Sequence, residues 1–584
     1  MSYETFWDLI YREADLAKAA ALVERLPSQD TPKALMFRFL LSTLKDQYQG
    51  AIQLASEAIQ KARKAGDHII ALEATNNAFY SFLLTNSFKE HTKLAREAED
   101  LLEFVQDADY DQHRAQEAIS TFYAQLGIKE AYVGQINKAL ELGKKALAIA
   151  SESGSPVCMC YALWVLTLTH QQDKAQASIA LEYANKLLSL AQEHKLKLCF
   201  VWACHSLISC HRQLGNLDKS LEYANLGIPL AKKIGWKWIT DMMIGEVGHQ
   251  YFARGDYEQA LQHFKHACDA AQDRSDHWQM AVHLINMGHV YRAKGELNSA
   301  LGVFQQLYAG SSAINNRFYQ SYASQAIGTI HFDQGAFEDA LKMFQESKQL
   351  REGFRNKAHL ATTLLSLMQL TLELNNLTDA QRYFSQLDEI HGSVPPNKNF
   401  QTNYEFAQAL LLKASPRMRE KAKAQEIFEV IANDPENRHS VITSAMLNLC
   451  DLLLYEYKSA EEPQILEEII SLSQRLYSVS QPKNDHRTMV KGLMLQGKLA
   501  LLEGHLDKAA QLLEEASKIA EMAGLKNLHE QIQQEQEQIS REVENWESLL
   551  ARNASIRERF EQARLAEYVR DALRVMEDEL LPNQ

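Results

Sequence analysis

The apolar positions of the chain recur at the three-and-four spacing of a helix face, and no run alternates polar and apolar with the period of two that a strand needs. Between them lie mainly Ala, Glu, Gln and Lys, strong helix formers, interrupted by only 11 prolines and 24 glycines in 584 residues. The pattern predicts an all-α chain. One stretch raises a local question: NMGHVYRAKGELNSA, Asn286 to Ala300, reads as helix on both sides of a glycine. Gly288 stands where alanine would favour a helix by about 1 kcal/mol. His289 and Arg292, three apart, share one face.

The sequence one period away explains much of this. Gly255 (GDYEQALQHF), Gly295 (GELNSALGVF) and Gly335 (GAFEDALKMF) open similar segments 40 residues apart, and the same step reaches Asn375 forward and Gly215 and Ala175 backward. Looser copies surround Gly134, Asn86, Asp46, Ala14 and, late in the chain, Gly504. A small residue precedes the anchor by seven (Gly127, Gly248, Gly288, Gly328, Gly497) and another follows by five (Ala260, Ala300, Ala340). Two helices joined by a tight turn approach closely only where such positions are small, and the anchor glycine supplies the turn. Phe264, Phe304, Phe344 and Phe384 fill the gap between hairpins. A hairpin cannot bury both its faces alone, so neighbours must stack.

These residues resemble the tetratricopeptide repeat (TPR) family. Its signature of a glycine, an aromatic, a turn glycine, an alanine and a phenylalanine is matched by Gly248, Tyr251, Gly255, Ala260 and Phe264, and again by Gly288, Tyr291, Gly295, Ala300 and Phe304. The period of 40 exceeds the family's usual 34, and resembles the longer repeats of polarity adaptors, kinesin light chains and bacterial sensor arrays. The resemblance implies a right-handed α-solenoid of about 12–13 hairpins with a C-terminal helical extension. Residues 1–390 are expected to form a TPR superhelix, regular from about 160. HGSVPPNKN, 391–399, should break it, and 400–525 should form less regular hairpins. In 526–584, a polar helix from Leu525 with roughly a seven-residue seam precedes a final helix that Ser555 and Glu558 would cap and that ends near Leu581. Two readings stand for this end: a cap on the last hairpin, or a coiled coil pairing two copies of the chain.

Composition narrows the function. A net charge of −14 argues against nucleic acid and acidic membrane surfaces, which need a basic field. Seven cysteines, an odd number without a framework, suit a reducing cytoplasm, and no stretch approaches 18 uncharged apolar residues. A soluble, cytoplasmic protein is expected. No phosphate loop, HExxH, GxSxG or CxxC motif occurs, so neither catalytic residues nor a cofactor is predicted. Cys204, His205, Cys210 and His211 are all metal-ligand types, yet Cys204 and His211 fall in register with Trp164 and with Tyr251, which are packing positions. No metal site is predicted.

In the TPR family the first helices line a concave groove. Counting back from each anchor selects Trp202, His205, Ser209 and Arg212, then His249 and Phe252, then His289 and Arg292 with Asn286 beside them, then Tyr322, Gln325, Thr329 and Phe332. Such a strip could hold a protein or peptide segment, with Arg212 and Arg292 taking carboxylates and the rings supplying apolar area. The family's carboxylate clamp of paired Lys and Asn is not reproduced. Plain packing between first helices would explain the same residues. The reading is a non-enzymatic interaction scaffold, with a peptide- or metabolite-responsive sensor, or a non-catalytic subunit of a larger complex, as alternatives.

Overall fold

The computed structural model describes residues 3–45, 47–84, 88–105, 111–132, 135–171, 176–354, 357–392, 398–460, 462–552 and 554–573. Among them there is no strand. From Pro32–Leu44 to Leu506–Met522, 24 helices follow one another and pair into 12 hairpins, preceded by the short helices Tyr3–Asp8 and Leu16–Glu24 around a π-helical turn, Leu9–Glu13. The hairpins fall into two compact units, one formed by residues 1–250 with 262–283, the other by 251–261 with 284–579.

The anchors act as the repeat predicts. Gly215, Gly255, Gly295 and Gly335 all take φ between 76° and 79°, and Gly504 takes 88°, a region open to glycine without the Cβ clash that other residues suffer. Asn375 and Ala14 stand at the same turn with φ of 56° and 53°. Asp46, Asn86, Gly134 and Ala175 lie outside the described residues, as does the 393–397 part of the expected break.

The helical glycines make room for the phenylalanines of their own hairpins. A Cβ on Gly288 would lie 2.5 Å from Cε2 and 2.9 Å from Cε1 of Phe304 and would also meet Cζ; on Gly328 it would lie 2.7 Å from two carbons of Phe344. The first helices therefore approach their partners closely enough to bury each ring almost completely. Phe344 also joins a core with Leu360, Leu364 and Leu367 of the following hairpin, which is how one hairpin stacks on the next.

Within the second unit the chain turns back on itself. Asn484 Nδ2 donates to the Ala253 carbonyl at 3.3 Å, and Arg487 Nη1 to the Arg292 carbonyl at 3.3 Å. Gly255 is pressed against the His486 ring, whose Nδ1 would lie 2.6 Å from a Cβ there.

The polar helix expected from Leu525 onward is interrupted. It runs as Lys526–Arg541 and Val543–Ala551, because Glu542 leaves helical geometry at φ −101° and ψ 7°. The Ser555–Glu558 capping box forms, but the helix it starts ends at Gln562. Arg564 takes φ 48° before a separate helix, Leu565–Leu573. The expected end near Leu581 lies outside the described residues. Trp546 packs with Ala500, Leu501 and Ala509, and Phe560, Leu565 and Val569 pack with Leu453, Leu454 and Leu499. Seam residue Trp546 is thus buried against the helices His486–Glu503 and Leu506–Met522.

Candidate functional site

The selected residues lie on the first helices and are mostly buried. In the first unit, helix Lys197–Gln213 carries Trp202, His205, Ser209 and Arg212. Arg212 Nε donates to Glu246 Oε2 at 2.8 Å, reaching the next first helix, Lys237–Ala253. Burial works to raise the Glu246 carboxyl. Arg212, His249 and His205 outweigh it, and the group is held below its usual value. His205 is pushed down by burial against the pull of Glu246, so it is neutral near pH 7. Neither of its ring nitrogens has a hydrogen-bond partner, nor does Arg212 Nη2. His249 meets the Phe264 ring edge to face at 4.9 Å.

The second unit repeats the scheme. The Nε2 of His289 and the Tyr322 hydroxyl share a hydrogen bond of 2.7 Å, and Arg292 Nε donates to Asp333 Oδ2 at 2.8 Å, each link crossing to helix Arg317–Asp333. Gln325 Nε2 donates to Ser366 Oγ at 2.8 Å on the first helix beyond, Ala358–Glu373, while Thr329 Oγ1 donates to the Gln325 carbonyl at 3.0 Å. Phe332 stacks obliquely on Phe337 and Phe252 on Tyr257, at 5.7 and 5.9 Å. Asn286 is buried on helix His277–Lys294. In each unit these residues form a ladder that links one first helix to the next. The two arginines already hold carboxylates of the chain itself.

Three of the four metal-type residues around Cys204 are engaged otherwise. Cys204 packs against Gly227, Cys210 accepts from Gln171 Nε2 at 3.1 Å, and His211 stacks on Tyr223 at 5.6 Å and 6°.

The sequence reading missed a buried trio in the first unit. Arg274 pairs with Asp241, whose carboxyl burial raises even so. His283 lies over Gly245, where any Cβ would collide with its ring. Burial first, then Arg274, brings His283 down to about 4. Gly245 was the available signal, a second helical glycine three before Gly248.

Fold and ladder together define the class: the chain is an array of stacked α-helical hairpins. Its residues 242–526 match the family described as the MalT-like TPR region. Among solved structures, a Rap protein complexed with Competence and Sporulation Factor is similar at 15% identity and TM-score 0.45, over 62% of this chain and 98% of that one. The apo form of the quorum sensor NprR from B. thuringiensis matches at 13% and 0.44, over 60% and 97%. Yeast Tom70 matches at 14% and 0.36, over 81% and 97%. No curated protein sequence matches significantly. No helix among the described residues is long and apolar enough to cross a membrane.

Proposed function

We propose that the chain is a non-enzymatic interaction scaffold that takes a protein segment along the first-helix face of its first unit, at His205, Ser209, Arg212 and His249. The observation that carries this is the spare hydrogen-bonding capacity there. Arg212 uses Nε on Glu246 while its Nη2 has no partner, and both ring nitrogens of His205 are likewise unmatched. If these residues served packing alone, each orphaned buried group would cost about 1–3 kcal/mol. A guanidinium nitrogen and a neutral imidazole two turns apart on one helix suit successive carboxylate or carbonyl groups of an incoming segment, which would complete both. The preferred segment is therefore acidic.

The test is a fluorescence-anisotropy screen of acidic, basic and neutral peptides of equal length against the full chain, repeated with Arg212→Lys and His205→Phe. Lysine keeps a cation for Glu246 but loses the fork, so acidic peptides should bind the wild type and lose about tenfold in affinity to Arg212→Lys. No preference for acidic peptides, or equal affinity in both variants, would refute the reading.

A further inference from the structure

The stretch KASPRMREKAK, 413–423, holds five cations and one acid in a chain of net charge −14. It joins helices Lys398–Lys413 and Met418–Asn433 of one hairpin in the second unit. Two of the cations are answered locally: Lys413 Nζ lies 2.7 Å from Asp451 Oδ2, and Arg417 Nη1 lies 3.6 Å from Glu420 Oε1. Arg419, Lys421 and Lys423 pair with no carboxylate among the described residues. Arg419 and Lys423, four apart, form one exposed row of the helix. Lys421 Nζ donates to the Lys413 carbonyl at 2.8 Å and lies 4.7 Å from the centre of the Tyr455 ring on helix His439–Ala460.

This placement works against the helix. A cation stabilises a helix at its C-terminal end and opposes the macrodipole at its start. Here Arg417 is the N-cap and Arg419 stands in the first turn, while the last turn has no basic residue. The cations also crowd one another, since burial and then Lys413 push the Lys421 ammonium below its usual value, against Asp451. Beside them two large apolar side chains are left in water: Met418, three before Lys421 on the same face, is 54% exposed, and Tyr455 is 50% exposed. Charge and apolar area thus meet on one surface where neither is required by the fold.

We propose that this surface docks an acidic segment of a partner protein, one that sets an aromatic or aliphatic side chain among its carboxylates. The carboxylates would take Arg419, Lys421 and Lys423, and the apolar side chain would cover Met418 and Tyr455. A nucleic acid or an anionic membrane suits it less, because a long polyanion would meet the field of an otherwise acidic chain beyond these few residues. An inorganic anion would leave the apolar pair in water. The surface belongs to a different unit from His205 and Arg212 and does not depend on them.

The test is fluorescence anisotropy with the labelled peptide EEDFEDLEE, titrated into the full chain carrying Arg212→Lys so that the first-unit face contributes little. Binding should saturate, should weaken about fivefold for EEDAEDAEE, which lacks the apolar side chains, and should be lost for QQNFQNLQQ, which lacks the carboxylates. Arg419→Gln with Lys423→Gln, added to the same background, should weaken EEDFEDLEE about fivefold, as two exposed ion pairs supply. Both side chains are exposed and without ion pairs, so these changes should leave Tm as it was. The proposal is overturned if EEDFEDLEE does not saturate, if the two glutamines leave its affinity unchanged, or if they lower Tm by several degrees, which would assign the cations to the fold. It is also overturned if a single-stranded oligothymidylate or phosphatidylserine vesicles bind more tightly than the peptide and lose that binding with the two glutamines. In the chain without Arg212→Lys, the two glutamines should leave the loss caused by Arg212→Lys unaltered, so failure here and failure of the scaffold reading are distinguishable.

Discussion

Replacing Gly288 by alanine should weaken the chain even though alanine is the better helix former. In isolation the change favours helix His277–Lys294 by about 1 kcal/mol. Against this, the new methyl would sit 2.5 Å and 2.9 Å from two carbons of Phe304, a ring only 1% exposed with no path into solvent. Overpacking of this kind costs about 1–3 kcal/mol, and with three ring atoms engaged the upper end applies, leaving a net loss of about 2 kcal/mol. Gly310→Ala in the partner helix Leu297–Ala313 is the matched control. No atom lies within 4 Å of a Cβ there, so the same chemical change should stabilise by about 0.5–1 kcal/mol. Because repeat arrays open locally, hydrogen exchange read by mass spectrometry is the assay. Peptides from 285–304 should lose about thirtyfold in protection in Gly288→Ala and gain a few-fold in Gly310→Ala. Adding Phe304→Leu to Gly288→Ala should cost less than the two single changes summed, since the smaller side chain leaves room for the methyl. Equal or greater protection in Gly288→Ala would refute the account of the glycine as space for the ring.

Three further outcomes are expected. Arg292→Met leaves Asp333 buried at 2% side-chain exposure and should cost about 3–5 kcal/mol, whereas Arg292→Met with Asp333→Leu should come within about 1 kcal/mol of the wild type; thermal melts that show the double variant no better than the single would count against the pair's role. Lys491 is brought down to about 7 by burial and by Arg487, against Asp333 and Asp485. Its folded pKa lies below the ordinary 10.5, so the folded state binds fewer protons between pH 7 and 10.5 and stability rises with pH there. Lys491→Met should therefore raise Tm most at pH 6 and less at pH 9.5, and an equal gain at both would be inconsistent. Ser555→Ala removes the capping box of helix Ile556–Gln562 and should cost about 1 kcal/mol, seen as roughly fivefold faster amide exchange confined to that end of the chain.

The repeat was legible because its architectural residues are ones that only geometry explains. Gly288 and Gly295 recur at fixed spacing, and the first proved to be a close approach and the second a turn. The second turn of the unit, between one hairpin and the next, was not legible. It also takes positive φ at 40-residue intervals, at Lys195, Gly235, Ser275 and Asn315, but four different side chains occupy it and packing of the flanking helices overrides their preference. The break at Glu542 was hidden because glutamate, unlike glycine or proline, gives no local signal of an interruption. On the first helices, sequence placed the residues on one face but could not say what they touch. Arg292 and Asp333 are 41 residues apart, one repeat plus one residue, and a pairing at that distance is indistinguishable in sequence from two separate groove residues.

The return of Asn484 to the Ala253 carbonyl spans 231 residues, and this has a consequence during synthesis. At about 5–20 residues per second, the ribosome needs roughly ten to fifty seconds after making Ala253 before His486 exists to cover Gly255. For that interval the early hairpins of the second unit are already able to fold but present an uncovered edge to the cell. A nascent chain paused in this window would be the form most open to chaperones and to mispairing with its neighbours on the same message.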